Sequence, residues 1–201
     1  FLELERTEEA LHNCMEWLKD CYKLTEYEKS EIYCYIAMCH CNLNQPNEGM
    51  KFIDASLDLN PFNRMAIIQK GMLHLQLDEN IQAKSLYQKA IALSPSDEEA
   101  ETHYAIVNTY FCLGRSLDVI RWCEKIIKEY PTEQKEALLY IANCYYEVND
   151  ITMCLKTLAV YWRINNENID DEVINDKRFN GMFAYITGTL NDTNFNLNDY
   201  L

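Results

Sequence analysis

At 201 residues, with 48% apolar and 25% charged side chains, the chain is long enough to close a substantial core and has an ordinary globular composition. Five Gly and four Pro are too few for the many turns of a sandwich or barrel, and favour long helices joined by short turns. A formal net charge of −14 argues against nucleic acid and anionic membrane surfaces, which require concentrated Lys and Arg; a basic or apolar protein partner fits better.

Nine cysteines, an odd number spread along the chain, read as free thiols of a reducing, cytoplasmic compartment rather than a disulfide framework. No apolar run approaches the roughly 18 residues that span a bilayer, and no signal peptide is visible. The first residue is Phe1, so the sequence reads as a cut piece of a longer protein.

In chain order, residues 6–22 form an amphipathic helix through Leu11, Cys14, Met15, Leu18 and Cys21. It has the character of the second helix of an upstream helix pair. Thr25 with Glu28, and Ser96 with Glu99, have capping-box spacing and predict helix starts. Pro61 and Pro95 stand 34 residues apart and Pro131 follows 36 later, each just after an amphipathic stretch, where proline ends a helix. Paired helices are predicted at 30–43 with 47–59, 63–77 with 80–93, 97–113 with 116–129 and 133–148 with 151–164. Asn44, Asp78, Gly114 and Asn149 occupy the turn inside each pair, where a left-handed residue is favoured.

The same residue slots recur between these marks. The segment Arg64–Asp97 has Gly71 in its first helix and Ala83, Tyr87 and Ala90 in its second. Ala37, Gly49, Ile53 and Ser56 fill those slots in 30–63, Val107, Val119, Cys123 and Ile126 in 100–133, and Ala142, Cys154, Leu158 and Tyr161 in 135–168. This pattern resembles the tetratricopeptide repeat family, in which small residues let two antiparallel helices approach while an aromatic fills the gap beside them. The resemblance implies an all-α, right-handed superhelical array of helix pairs, a solenoid of about four repeats. Residues 1–29 would precede the array and 169–201 would follow it. The helix predicted at 178–190, through Phe179, Met182, Phe183, Ile186 and Leu190, is expected to cap its apolar end. The Asn-rich tail 191–201, with its Asn191-Asp192-Thr193 triplet and its Phe195, Leu197, Tyr200 and Leu201, reads as disordered or as simple surface packing.

The resemblance also implies a concave face lined by the first helix of each pair, where family members hold partner peptides. By register the lining includes Glu31, Cys34, Met38 and Cys41, then Met65, Ile68, Met72 and Leu75. Glu101, Tyr104, Asn108 and Phe111 continue it, followed by Glu136, Leu139, Asn143 and Tyr146. An apolar stripe of this kind marks a binding surface, and Met suits an adaptable one. Asn108 and Asn143 hold equivalent places, so their amides are expected to clamp a peptide backbone. Chaperone-binding members grip a terminal carboxylate with Lys and Arg; here those slots hold Cys34, Tyr104 and Asn108, which excludes that clamp.

Cys34, Cys39, His40 and Cys41 cluster on one helix, but successive positions point about 100° apart and cannot converge on a metal. His40 and His74 recur in one register, where Tyr110 and Tyr145 stand later, and read as core histidines. No phosphate loop, nucleophile elbow or paired metal-binding histidine motif is present. The expectation is a non-catalytic protein-interaction module, without metal or cofactor, that binds a peptide or helix of apolar or basic character. The alternatives are a scaffold subunit of a larger or self-associating assembly, or a carrier shielding an apolar segment of a partner.

Overall fold

The computed structural model describes residues 2–19, 21–166 and 168–190; the tail 191–201 lies outside them. Among the described residues the chain is helical and holds no strand. Its helices are α1 (Leu2–Lys19), α2 (Glu26–Asn42), α3 (Pro46–Leu59), α4 (Arg64–Gln76), α5 (Asn80–Ala92) and α6 (Glu99–Cys112), then α7 (Ser116–Glu129), α8 (Gln134–Glu147), α9 (Ile151–Ile164), α10 (Asp171–Ile174) and α11 (Asn180–Leu190). They gather into two compact units, Phe1–Thr109 and Tyr110–Leu201, divided within α6.

In unit 1, α2 packs on α3 and α4 on α5, while α2 and α3 both pack on α4. In unit 2, α8 packs on α7 and α9, and α11 lies on α9. Every repeated packing slot read from the sequence is buried. Ala37, Val107 and Ala142 in the first helices are fully enclosed, as are Ala83, Val119 and Cys154 in the second.

The reason for small residues is steric. A Cβ added to Gly71 would stand 2.4 Å from Tyr87 Cε1, and one added to Gly49 would stand 2.8 Å from Leu73 Cδ2. The Tyr87 ring is fully buried and its hydroxyl shares a 2.7 Å hydrogen bond with Thr109 Oγ1, so it has little freedom to retreat.

The four turns inside the pairs share one geometry. Asn44, Asp78, Gly114 and Asn149 have φ of 56°, 60°, 65° and 60°. The next residue in each case, Gln45, Glu79, Arg115 or Asp150, donates its N–H to the carbonyl of His40, His74, Tyr110 or Tyr145. This is the left-handed helix stop that satisfies otherwise orphaned carbonyls. The two histidines are half-buried pins of that turn, not core residues. His40 Nδ1 lies 2.8 Å from Gln45 Oε1, and His74 Nδ1 lies 2.5 Å from Glu79 Oε2.

Thr25 and Glu28 form the expected capping box at the start of α2. The second box does not form: α6 begins at Glu99, and Ser96 sits in the turn three residues earlier. In unit 2, Phe179, Phe183 and Ile186 are buried against Leu158, Tyr161 and Trp162 of α9.

Each cysteine whose side chain is described is a free thiol, and all but Cys112 are buried. Burial disfavours the thiolate, pushing Cys34 up to about 12 and Cys144 and Cys154 to about 11.

Two outcomes are expected. Gly71→Ala lowers unfolding free energy in urea by about 1–3 kcal/mol through overpacking against Tyr87, whereas Gly181→Ala, where an added Cβ meets nothing within 4 Å, does not. The buried thiols bind their protons more tightly folded than unfolded, so their contribution is intact below the ordinary thiol value and is lost as pH climbs toward 11–12. Urea midpoints should therefore decline from about pH 9 upward, and Cys34→Ala should flatten that decline.

Candidate protein-binding site

The first-helix starts of unit 1 surround an open pocket of about 350 Å³. Glu31 of α2, Met65 and Ile68 of α4, and Glu101 and Ala105 of α6 line it, with Phe62 from the connection between α3 and α4. Ile68 forms an apolar floor at 2% exposure, while Met65 at 43%, Phe62 at 71% and Tyr27 at 64% stand at the rim.

Asn63 holds the pocket together. It is the N-cap of α4, its Oδ1 accepting from the Ala66 N–H at 3.0 Å. Its amide donates to Glu31 Oε1 at 2.8 Å and to Ser30 Oγ at 3.2 Å. Ser30 and Ser56 lie beneath, each hydroxyl donating to the other's carbonyl oxygen, so α2, α3 and α4 are tied at one buried node. Across the pocket, Arg64 pairs with Glu98 and donates to Thr102 Oγ1 at 3.4 Å. The Arg64 charge is thus matched by Glu98, which leaves Glu31 and Glu101 to set a negative potential above an apolar floor.

Only part of the predicted stripe lines this pocket. Met65 and Ile68 do. Met72 and Leu75 are 7% and 4% exposed, enclosed in the packing of unit 1 rather than facing solvent. On α6, Tyr104 is half-buried and Asn108 exposed. In unit 2 the stripe meets the chain's own helices. Leu139 and Tyr146 pack into the cluster containing Phe179 and Phe183, with the Tyr146 and Phe179 rings edge to face at 6.2 Å. Phe111 is half-buried, edge-on to Tyr140 at 5.4 Å. Asn143 donates its amide to the Leu139 carbonyl at 3.0 Å, and its Oδ1 is buried without a hydrogen-bond partner.

Against known proteins, residues 66–97 match the model of the tetratricopeptide repeat. The chain carries a tetratricopeptide repeat. The match covers α4 and α5 with the turn between them, the pair in which Gly71 meets Tyr87. A 71-residue stretch is also similar, at 28% identity, to the peptidyl-prolyl cis-trans isomerase FKBP4 of Mus musculus and of Rattus norvegicus. That stretch is 35% of this chain and 16% of either relative, so the chain spans about a sixth of the curated relatives it matches.

Tetratricopeptide repeats are protein–protein interaction modules, and the pocket opens at the start of this repeat's first helix. Sequence reasoning missed Phe62, Asn63 and Arg64, which lie at or just outside the periodic helical positions. The available signal was Asn63, an ordinary N-cap residue directly before the first residue of α4. Among the described residues, no three His, Cys, Asp or Glu converge as a metal site, and no helix is long and apolar enough to cross a membrane.

Asn63→Ala removes the cap bond and both amide bonds to α2, and is expected to lower stability in urea unfolding by about 1–2 kcal/mol. Asn63→Ser, which keeps a capping oxygen but cannot reach Glu31, should fall between the two.

Proposed function

We propose that the chain is a non-catalytic interaction module whose unit 1 takes a segment of a partner protein, seating one of its basic side chains in the pocket above Ile68. The juxtaposition of Glu31 and Glu101 with Phe62, Met65 and Tyr27 carries this reading. A Lys or Arg presents an aliphatic stem and a charged tip, so the stem lies on the Met65 and Phe62 surface while the tip meets the carboxylates. An aromatic rim adds cation–π attraction of about 0.5–1 kcal/mol at an exposed site. The net charge of −14 favours the approach of such a segment over a distance.

In this reading the helix pairs 30–63, 64–97, 100–133 and 135–168 are the repeats, and they work without metal or cofactor. Tyr104 and Asn108 of α6 remain proposed contacts to the segment held by unit 1, whereas in unit 2 Asn143 spends its amide on the Leu139 carbonyl and Phe111 packs on Tyr140. Met72 and Leu75 support the unit 1 face from within, and Leu139 and Tyr146 belong to the core of unit 2. A scaffold role has its own observation: Trp17 at 59%, Tyr22 at 76% and Tyr35 at 51% exposure leave aromatic surface uncovered around α1 and α2.

Peptides selected from a random display library against the intact chain should be enriched in Lys or Arg beside an apolar residue. Their binding should weaken about tenfold or more with Glu31→Lys and Glu101→Lys together, and fall as salt rises. Selected peptides without basic residues, or affinities untouched by the charge reversal, would exclude the pocket as the seat.

A further inference from the structure

The connection between α5 and α6 is longer than its counterpart one repeat earlier. Residues 93–98 separate α5 from α6, whereas residues 60–63 separate α3 from α4. The extra length closes as a turn in which the Glu98 N–H donates to the Pro95 carbonyl at 3.0 Å. Ser96 and Asp97 stand at the tip of that turn, and both are exposed.

Three acidic residues follow Ser96 directly: Asp97, Glu98 and Glu99. No other serine or threonine of the chain has acidic residues at all three following positions. The nearest competitors have their hydroxyls committed. Thr25 is followed by Glu26 and Glu28, but its hydroxyl is held in the capping box, 2.8 Å from Glu28 Oε2. Ser94 is half-buried, and its hydroxyl bonds to the Ala90 carbonyl at 3.0 Å and to Thr102 Oγ1 at 2.6 Å. Helix α6 begins at Glu99, too far on for the Ser96 hydroxyl to cap it.

A kinase with basic side chains beyond its catalytic centre pairs them with carboxylates that follow the acceptor, and so selects its hydroxyl by charge pattern. We propose that Ser96 is the target of an acid-directed serine kinase, and that its phosphate strengthens the hold of the unit 1 pocket on a basic segment. The γ-phosphoryl group of ATP passes to Ser96 Oγ. A new O–P bond forms there, the bond from the γ-phosphorus to the β–γ bridging oxygen breaks, and ADP and the hydroxyl proton leave.

The place of the turn connects this charge to the pocket. Glu98, two residues after Ser96, pairs with Arg64, and Arg64, Glu101 and Thr102 line the pocket. A phosphoserine adds about −1.5 to −2 charges at neutral pH. Arg64 can divide itself between Glu98 and the phosphate without altering that sum. A Lys or Arg tip at Glu31 and Glu101 then sits in a deeper negative potential. The added attraction acts through solvent, so salt screens it. This tuning rests on the basic-segment reading of the pocket; the modification of Ser96 does not.

The test treats the intact chain with ATP, Mg²⁺ and a purified acid-directed serine kinase, its activity verified on a Ser94–Glu101 peptide. Mass spectrometry should find one phosphate, on Ser96, and none on Ser94 or Thr25. Glu99→Gln should slow its incorporation about tenfold, the loss of one charged hydrogen bond to the kinase. A chain without phosphate on Ser96 overturns the proposal. At low ionic strength the phosphorylated chain should bind the Lys- or Arg-containing peptides from the display library about threefold more tightly than the untreated chain, and the two should converge in about 1 M salt. Ser96→Ala carried through the same treatment should bind as the untreated chain does. Equal affinities of the phosphorylated and untreated chains at low salt overturn the tuning. Peptides that bind neither form sink the pocket reading and the tuning together, while the mass spectrum still decides the Ser96 site.

Discussion

Close approach of helix backbones governs this molecule. Where Gly71 faces Tyr87, even one methyl group would collide with the ring, and the ring is held in turn by Thr109. At Gly49, the same closeness is set against Leu73 and the Ala37 carbonyl. Neither contact is strong by itself. Each fixes the distance between neighbouring helices, and that distance decides which side chains of α2, α4 and α6 reach the surface. The helix pairs act as spacers, and the chemistry at their ends is whatever the spacing leaves uncovered.

The turns apply the same discipline. A left-handed residue, followed by an N–H reaching back five residues, stops the first helix of each pair at an equivalent point. Two of these stops are further secured by histidine side chains. At the opposite end of the helices the connections differ from pair to pair, and the variable side chains gather there. At the Asn63 node a cap residue also spans to the preceding first helix. A pocket with its own character can thus arise on a regular frame without disturbing the periodic positions.

The repeated packing slots were legible because they obey a local rule: a small or apolar residue at a fixed distance from a helix stop. Their burial in both units follows from that rule alone. The binding face was less legible, for two different physical reasons. Met72 and Leu75 lie on a helix side shared between facing backbone and facing neighbours, and register does not say how far a neighbouring helix will cover them. Leu139 and Tyr146 are covered by a distant segment of the chain, near Phe179, which no spacing rule connects to them. Ser96 was misread because a capping box requires the helix to begin just after it, and the turn through Pro95 delays α6 to Glu99. Phe62 and Asn63 were passed over because they belong to a connection, where helical periodicity carries no information.

The buried thiols have a consequence for the lifetime of the folded chain. Inside the helices they stay protonated and are poor nucleophiles, so in the folded chain these buried thiols resist oxidants that attack thiolates. A transient opening restores ordinary acidity to several of them together. Two released sulfurs that meet before the helices close can join covalently, and helices spaced by their small residues have no room to re-form around such a link. Ageing in air would then advance by rare, one-way events, at a pace set by how often a helix pair breathes rather than by the net stability of the fold.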